Sequence, residues 1–275
     1  MRFFTTFAVR LAAYLINFLN ALGYRCVHFF TEIGSGAVFY LKLFALSFLS
    51  LVQKKIRKDL LKQIYFLGNR SVVIIVVSGL FVGFVLALQG FYTLARYGSE
   101  QALGLLVALS VVRELGPVVT ALLYAGRAGT SLTAEIGLMR AGEQLVAMEV
   151  MGVDPVKRVL APRLLAGALS MPVLSILFCC IAIFGGWLVG VHLVGVDSGA
   201  FWSIMQGGVS LSGDVLNGVI KSVVFGYAVN LIAIYEGFYC RPTPEGVSSA
   251  TTTGVIFAAL SILALDFVLT AFMFI

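Results

Sequence analysis

Four charged residues stand inside runs that are otherwise apolar, and they are the residues best placed to do chemistry. Arg113 and Glu114 are adjacent in SVVRELGPVV (Ser110–Val119), Lys221 lies in IKSVVFGYAV, and Asp266 lies in LDFVLTAFMF. The eleven residues before Arg113 and the twelve after Glu114 carry no charge. An ionised side chain in hydrocarbon costs roughly 2.5–3.5 kcal/mol on insertion scales, so each of these groups needs a partner or a polar cavity. Neighbouring helical positions point about 100° apart, so Arg113 and Glu114 do not face each other and each must find its own environment. Pro117 has no N–H to give the carbonyl of Arg113, which loosens the backbone at the level of the charges. Charge and irregular backbone at mid-depth are tolerated where a segment lines a cavity or packs on protein. From the residues alone both readings stand: the wall of a cavity, or an ion pair that fixes helix packing. Lys221 and Asp266 fall at similar depth and are expected to form an intramembrane charge pair.

Other chemistries find little support. The chain has 275 residues, of which 60% are hydrophobic and 12% charged, against about 25% charged in soluble domains. It reads as an integral membrane protein, with an all-α fold. Its net charge of +6 reports orientation and contact with anionic lipid rather than a nucleic-acid partner. The four cysteines have no metal-ligand spacing, and Cys179-Cys180 reads as two buried small side chains. With only two histidines, no metal site is expected. No G-x-x-x-x-G-K-[ST] and no G-x-S-x-G is present, so neither P-loop ATP binding nor a serine nucleophile is expected in this chain.

The elements that must position the charges follow from hydropathy. A span needs about 20 apolar residues, and five intervals qualify: about 71–95, 102–126, 164–194, 215–238 and 254–275. Ahead of them, polar residues recur every three to four positions from Thr6 to Glu32, as in an interfacial helix lying in the membrane plane. Segment 36–52 reads as a second embedded or interfacial helix. The chain thus divides into N-terminal interfacial helices (1–68) and a transmembrane domain (69–275). Ten of the nineteen Lys and Arg precede Ser71, and five more lie between 127 and 163, so the positive-inside rule puts both regions in the cytoplasm and the C-terminus outside. Gly79-x-x-x-Gly83 and Gly186-x-x-x-Gly190 are spaced for close helix packing, without naming the partner. Between the second and third spans, Thr133–Pro155 reads as one amphipathic helix of about four turns, ended by Gly152 and Pro155. It carries Met139, Met148 and Met151 as an adaptable face; docking to a cytoplasmic motor and resting on the membrane surface are equally open from its spacing.

The stretch VVRELGPVVTALLYAGRAGTSLTAEIGLMRAGEQLVAMEVMGVDPVKRVLAPR (Val111–Arg163) closely resembles the MlaE/YrbE family of ABC-transporter permeases. VVSGLFVGFVLALQGF, IKSVVFGYAV and LDFVLTAFMF resemble it too, so the likeness runs from about residue 50 to the end. It implies a homodimeric, non-catalytic permease in the inner membrane of a Gram-negative bacterium. The implied partners are a cytoplasmic ABC ATPase that binds the ATP and Mg, a STAS-domain protein and a periplasmic hexameric ring of MCE-domain subunits. The implied substrate is phospholipid, moved to maintain outer-membrane lipid asymmetry, with no cofactor in this chain. By the same resemblance the lipid site lies between protomers, at Leu86, Thr93, Leu94, Tyr97, Arg113 and Glu114. The coupling helix becomes about 134–153, with Glu135, Arg140, Glu143, Met148, Glu149, Gly152 and Asp154 toward the ATPase. Two other functions remain in competition: an ion-coupled secondary transporter using Glu114 and Asp266, and a structural anchor for an MCE ring.

Overall fold

The computed structural model describes residues 38–43, 45–47 and 54–274. The interfacial helix expected before residue 33 lies outside the described residues, as do residues 36, 37, 44 and 48–52 of the 36–52 segment. The chain divides into two compact units, residues 1–46 and 47–275. In the first, residues 38–43, 45 and 46 are helical. In the second, Lys54–Ala95 runs as one helix straight through the 68/69 boundary that hydropathy suggests.

The second unit is built from helices, with no strand among the described residues. We label them α1 (Lys54–Ala95), α2 (Glu100–Ala141), α3 (Gln144–Val150), α4 (Val156–Leu193), α5 (Ser198–Gly208), α6 (Leu211–Tyr239) and α7 (Pro244–Phe274). Five of these, α1, α2, α4, α6 and α7, are long and apolar enough to cross a membrane. The molecule is therefore a multi-pass, all-α membrane protein. The helices outrun the hydropathic intervals, chiefly at the end of the bundle rich in Lys and Arg. Hydropathy marks only the stretch that meets hydrocarbon, whereas the helix continues wherever its face still packs on a neighbour.

Glycine decides how close the spans approach. A Cβ at Gly83 would stand 2.1 Å from the Ala182 carbonyl oxygen, and one at Gly185 would stand 2.8 Å from that of Leu80. The Gly79 and Gly83 motif of α1 thus meets α4 within one chain, whereas Gly186 and Gly190 of α4 meet Val107 and Leu103 of α2. Around this seam lies the core, with Ile75, Val107, Val111, Phe178, Phe201 and Phe225 fully buried. Outward faces of α1 and α7 carry Val73, Phe81, Val85, Phe267 and Phe272 in the open, as helices bathed by acyl chains do.

The amphipathic segment after the second span differs from the single helix expected over 134–153. Thr130–Ala141 is the last stretch of α2, packed against α6 and α7. The chain then breaks at Gly142-Glu143, where Glu143 takes φ +57°, and α3 follows as a separate helix of seven residues. Glycine and a left-handed residue interrupt the ladder, while the apolar spacing continues across the break and hides it from periodicity. Its end is where the sequence puts it: Gly152 adopts φ +75°, and Val153 N–H donates to Met148 O at 2.9 Å. Of the three methionines, Met151 is exposed, whereas Met139 and Met148 are half-buried.

Candidate functional site

The charges in the spans meet at one level of the bundle, where α2 is irregular. Val111–Leu115 forms a π turn, in which the Gly116 N–H donates to Val111 O. Such turns re-aim side chains and expose backbone oxygens, and they recur at functional sites. Gly116 is needed here, since a Cβ would lie 2.3 Å from Cys179 Sγ on α4. One turn later Pro117 leaves the Arg113 carbonyl without its helical donor. Lys221 supplies the missing bond: its Nζ donates to Arg113 O at 3.1 Å.

Lys221 is wholly buried and serves three other oxygens: Glu114 Oε2 at 2.7 Å, Thr270 Oγ1 at 2.7 Å and Asp266 Oδ1 at 3.1 Å. One ammonium on α6 thereby ties α2 to α7. Thr270 donates its hydroxyl to the Asp266 carbonyl at 2.8 Å, which fixes it beside the lysine. Arg113 points elsewhere, as adjacency on a helix requires. Its Nε donates to Asp214 Oδ1 at 2.6 Å, and Asp214 is held in turn by the Ser210 N–H at 2.8 Å. Glu114 and Arg113 keep 37% and 39% of their side-chain surface open, against 0% for Lys221 and 4% for Asp214. The buried member of each pair is thus fully enclosed while its mate remains reachable.

Sequence reasoning missed Asp214 and Thr270. Thr270 stands four residues after Asp266, on the same helical face. Asp214 falls just before the 215–238 interval, outside the apolar runs in which charges stand out. The demand of Arg113 for a carboxylate was the signal that could have found it. Beside the charges, Ala108, Val112, Cys179, Cys180 and Met205 help line an apolar cavity of about 480 Å³. Cys180 is exposed there, which corrects the reading of both vicinal thiols as buried.

The remaining expected lipid contacts lie on α1. Thr93 and Tyr97 share a small polar hollow of about 370 Å³ with Gln89, Tyr92 and Arg96, near the C-terminal end of the helix. Leu86 and Leu94 are half-buried against the core. Neither Arg113 nor Glu114 lines this hollow.

At the basic end, the expected coupling residues divide. Glu135 accepts from Arg163 at 2.5 Å, and Arg140 donates to the Phe238 carbonyl while lying over the Phe238 ring. Asp154 caps the next helix by accepting from Val156 N–H at 2.9 Å. Glu143, Glu149 and Gly152 are exposed, and with them Val146, Val150 and Met151, at 56%, 82% and 71%. These form a small apolar surface on α3, away from the five spans' lipid-facing belts. Among the described residues, no cluster of His, Cys, Asp and Glu could hold a metal ion.

Five spans, a broken helix between the second and third, and paired charges at mid-depth define a helical membrane protein of the transporter-permease class. The model of the family Permease MlaE matches residues 60–272, and the chain belongs to that family. It is 55% identical over 264 residues to the intermembrane phospholipid transport system permease protein MlaE of Haemophilus influenzae, covering 94% of this chain and 98% of that one. It is 33% identical to a probable ABC transporter permease protein of Rickettsia typhi, over 94% and 99% of the two chains. It is also 29% identical to the chloroplastic protein trigalactosyldiacylglycerol 1 of Arabidopsis thaliana, over 79% and 62%.

Proposed function

We propose that this chain is the non-catalytic membrane subunit of an ATP-driven phospholipid transporter in a bacterial inner membrane. The observation that carries the reading is the likeness over nearly the whole chain to a phospholipid transport permease. A separate cytoplasmic ATPase binds the ATP and Mg, and this chain provides the path. The exposed apolar face of α3, with Val146, Val150 and Met151 flanked by Glu143, Glu149 and Gly152, supplies what a motor subunit can grip. The N-terminus lies in the cytoplasm and the C-terminus in the periplasm, by the distribution of Lys and Arg. A STAS-domain protein and a periplasmic ring of MCE-domain subunits complete the assembly.

Two copies of the chain form the lipid site. Leu86 and Leu94 offer apolar walls to acyl chains; Thr93, Tyr97, Arg113 and Glu114 offer polar contacts to a headgroup. The half-open state of Arg113 and Glu114 supports this, since each is anchored from behind by a buried partner. The test is lipid transfer from proteoliposomes holding the assembled transporter to acceptor vesicles. Glu114→Ala is expected to cut ATP-dependent transfer at least tenfold while the protein still folds and binds its ATPase. Unchanged transfer would overturn the site. A second reading, proton-driven transport, draws on the count of charges at the node, where three carboxylates meet two cations. Transfer driven by a pH gradient without any ATPase would favour it.

A further inference from the structure

Arg70 on α1 and Arg127 on α2, both toward the basic end of the bundle, are treated unlike Arg113. Arg70 lies with its Cζ 4.3 Å from the centre of the Phe66 ring, and no protein acceptor takes its N–H groups among the described residues. Arg127 sits in a second π turn, Ala125–Gly129, and reaches across to α1. Its Nη1 donates to Ser71 Oγ at 3.3 Å and Leu67 O at 3.5 Å, both neutral oxygens. No carboxylate pairs with either guanidinium among the described residues, and Arg70 is close enough to repel Arg127. The nearby carboxylate of Glu135 is already taken by Arg163.

Two cations held together without an anion form an incomplete site. Guanidinium is the donor best matched to phosphate oxygens, through parallel N–H bonds. The approach is open: Gly126, next to Arg127, is exposed and has no atom within 4 Å of where a Cβ would stand. Next to the pair, Phe66 and Leu67 also line a cavity of about 250 Å³ together with Lys62 and the Arg163–Glu135 ion pair. Gln63 lines it too, and its buried Oε1 lacks a donor, which suits a headgroup hydroxyl and not the phosphate. Depth completes the case. At 1.5 Å per residue Arg70 lies about 37 Å from Ala95, and Arg127 lies about 40 Å from Glu100. Both exceed the ~30 Å hydrocarbon core, which puts them at headgroup level on the basic side. Basic pockets between spans on that side are where anionic headgroups bind.

We infer that Arg70 and Arg127, with Lys62 nearby, bind the phosphate of an anionic phospholipid from the leaflet on the basic side. This site is separate from the Arg113–Glu114 level and holds whether or not the chain moves lipid. The test is thermal unfolding of the full-length purified chain in a non-ionic detergent, with phosphatidylglycerol, phosphatidylcholine or inorganic phosphate added. Phosphatidylglycerol is expected to raise the midpoint at least fivefold more than either other addition. Arg70→Glu gives Arg127 an internal anion, so it is expected to raise the lipid-free midpoint and remove at least four-fifths of the lipid's effect. Arg127→Gln should remove it too, and Arg70→Glu serves alone if that variant does not fold. An Arg241→Gln, Lys157→Gln chain, which loses two exposed cations elsewhere, is expected to keep the full shift. A full shift in Arg70→Glu, an equal shift with phosphatidylcholine, or loss of the shift in the double control would each overturn the assignment. An equal shift with inorganic phosphate would also overturn it, by making the ligand a free anion.

Discussion

Arg113 and Arg127 stand fourteen residues apart on one helix, each beside a π turn, and the fold treats them in opposite ways. Arg113 is bonded to a carboxylate that is itself almost wholly enclosed. Arg127 is offered two neutral oxygens and a second cation. The difference is one of depth. Near the middle of a bilayer an ionised group has no water to fall back on, so the protein must bring the counter-charge itself. At headgroup level lipid phosphates and water are at hand, and a cation can be left for them. A guanidinium paired from within is therefore part of the scaffold as much as of the site, whereas one left unpaired is available to a ligand.

Breaking the mid-depth node should have the largest effect. Lys221→Ala leaves Glu114 and Asp266 facing each other and strips the Arg113 carbonyl of its donor. Removing one partner of a buried ion pair costs about 3–5 kcal/mol, so unfolding in detergent is expected to come many degrees earlier. A stability near wild type would mean that the two carboxylates do not depend on the lysine. Asp214→Ala should cost less, about 1–3 kcal/mol for a charged hydrogen bond, because Arg113 is partly open and can turn toward polar surroundings. The comparison sharpens if an Arg113→Ala, Asp214→Ala cycle shows a coupling of about 0.5–3 kcal/mol; zero coupling would sink the claim that Arg113 is paired from within.

How much of this could be read from residue order depends on the kind of signal. The five spans were legible because twenty apolar residues in a row have few other homes in a folded chain. The separation of Arg113 from Glu114 followed from helix geometry, as did the loosened carbonyl before Pro117. The donor to that carbonyl did not, because Lys221 lies 108 residues away and only packing brings it there. Asp214 was missed for the same reason. The break at Gly142-Glu143 was illegible because the apolar period runs through it unbroken. The Gly79 and Gly186 motifs announced close packing, but only the fold shows that the first meets α4 and the second meets α2 within one chain.

Two smaller effects test the backbone reading. Pro117→Ala restores an N–H that competes with Lys221 for the Arg113 oxygen. The expected result is a stability change of about 1 kcal/mol or less, with a larger fractional loss in lipid transfer, read by parallel unfolding and transfer assays. Least of all should be the change at Cys240, in the turn between α6 and α7. Burial pushes its thiol above the ordinary range, helped by the neighbouring Glu236 carboxylate and opposed by Arg140. Thiolate is the reactive form, so its alkylation should be slower than that of a free thiol at neutral pH and should catch up only as pH rises past the usual thiol range.

The seam between α1 and α4 bears on how such a protein can move. Where a glycine brings one helix against the carbonyls of the next, there is no side chain to change rotamer and no slack to absorb sliding. Gly83 against Ala182 and Gly185 against Leu80 make the two helices a single rigid plank. A push delivered at α3 reaches α4 through only the short turn at Gly152, and it reaches α2 through the break at Gly142-Glu143. Gly226 against Ala168 and Gly167 against Asn230 hold α4 to α6 by contacts of the same kind, so a stroke would move these spans together rather than slide one past another. Room for movement is left at the apolar cavity beside Val112.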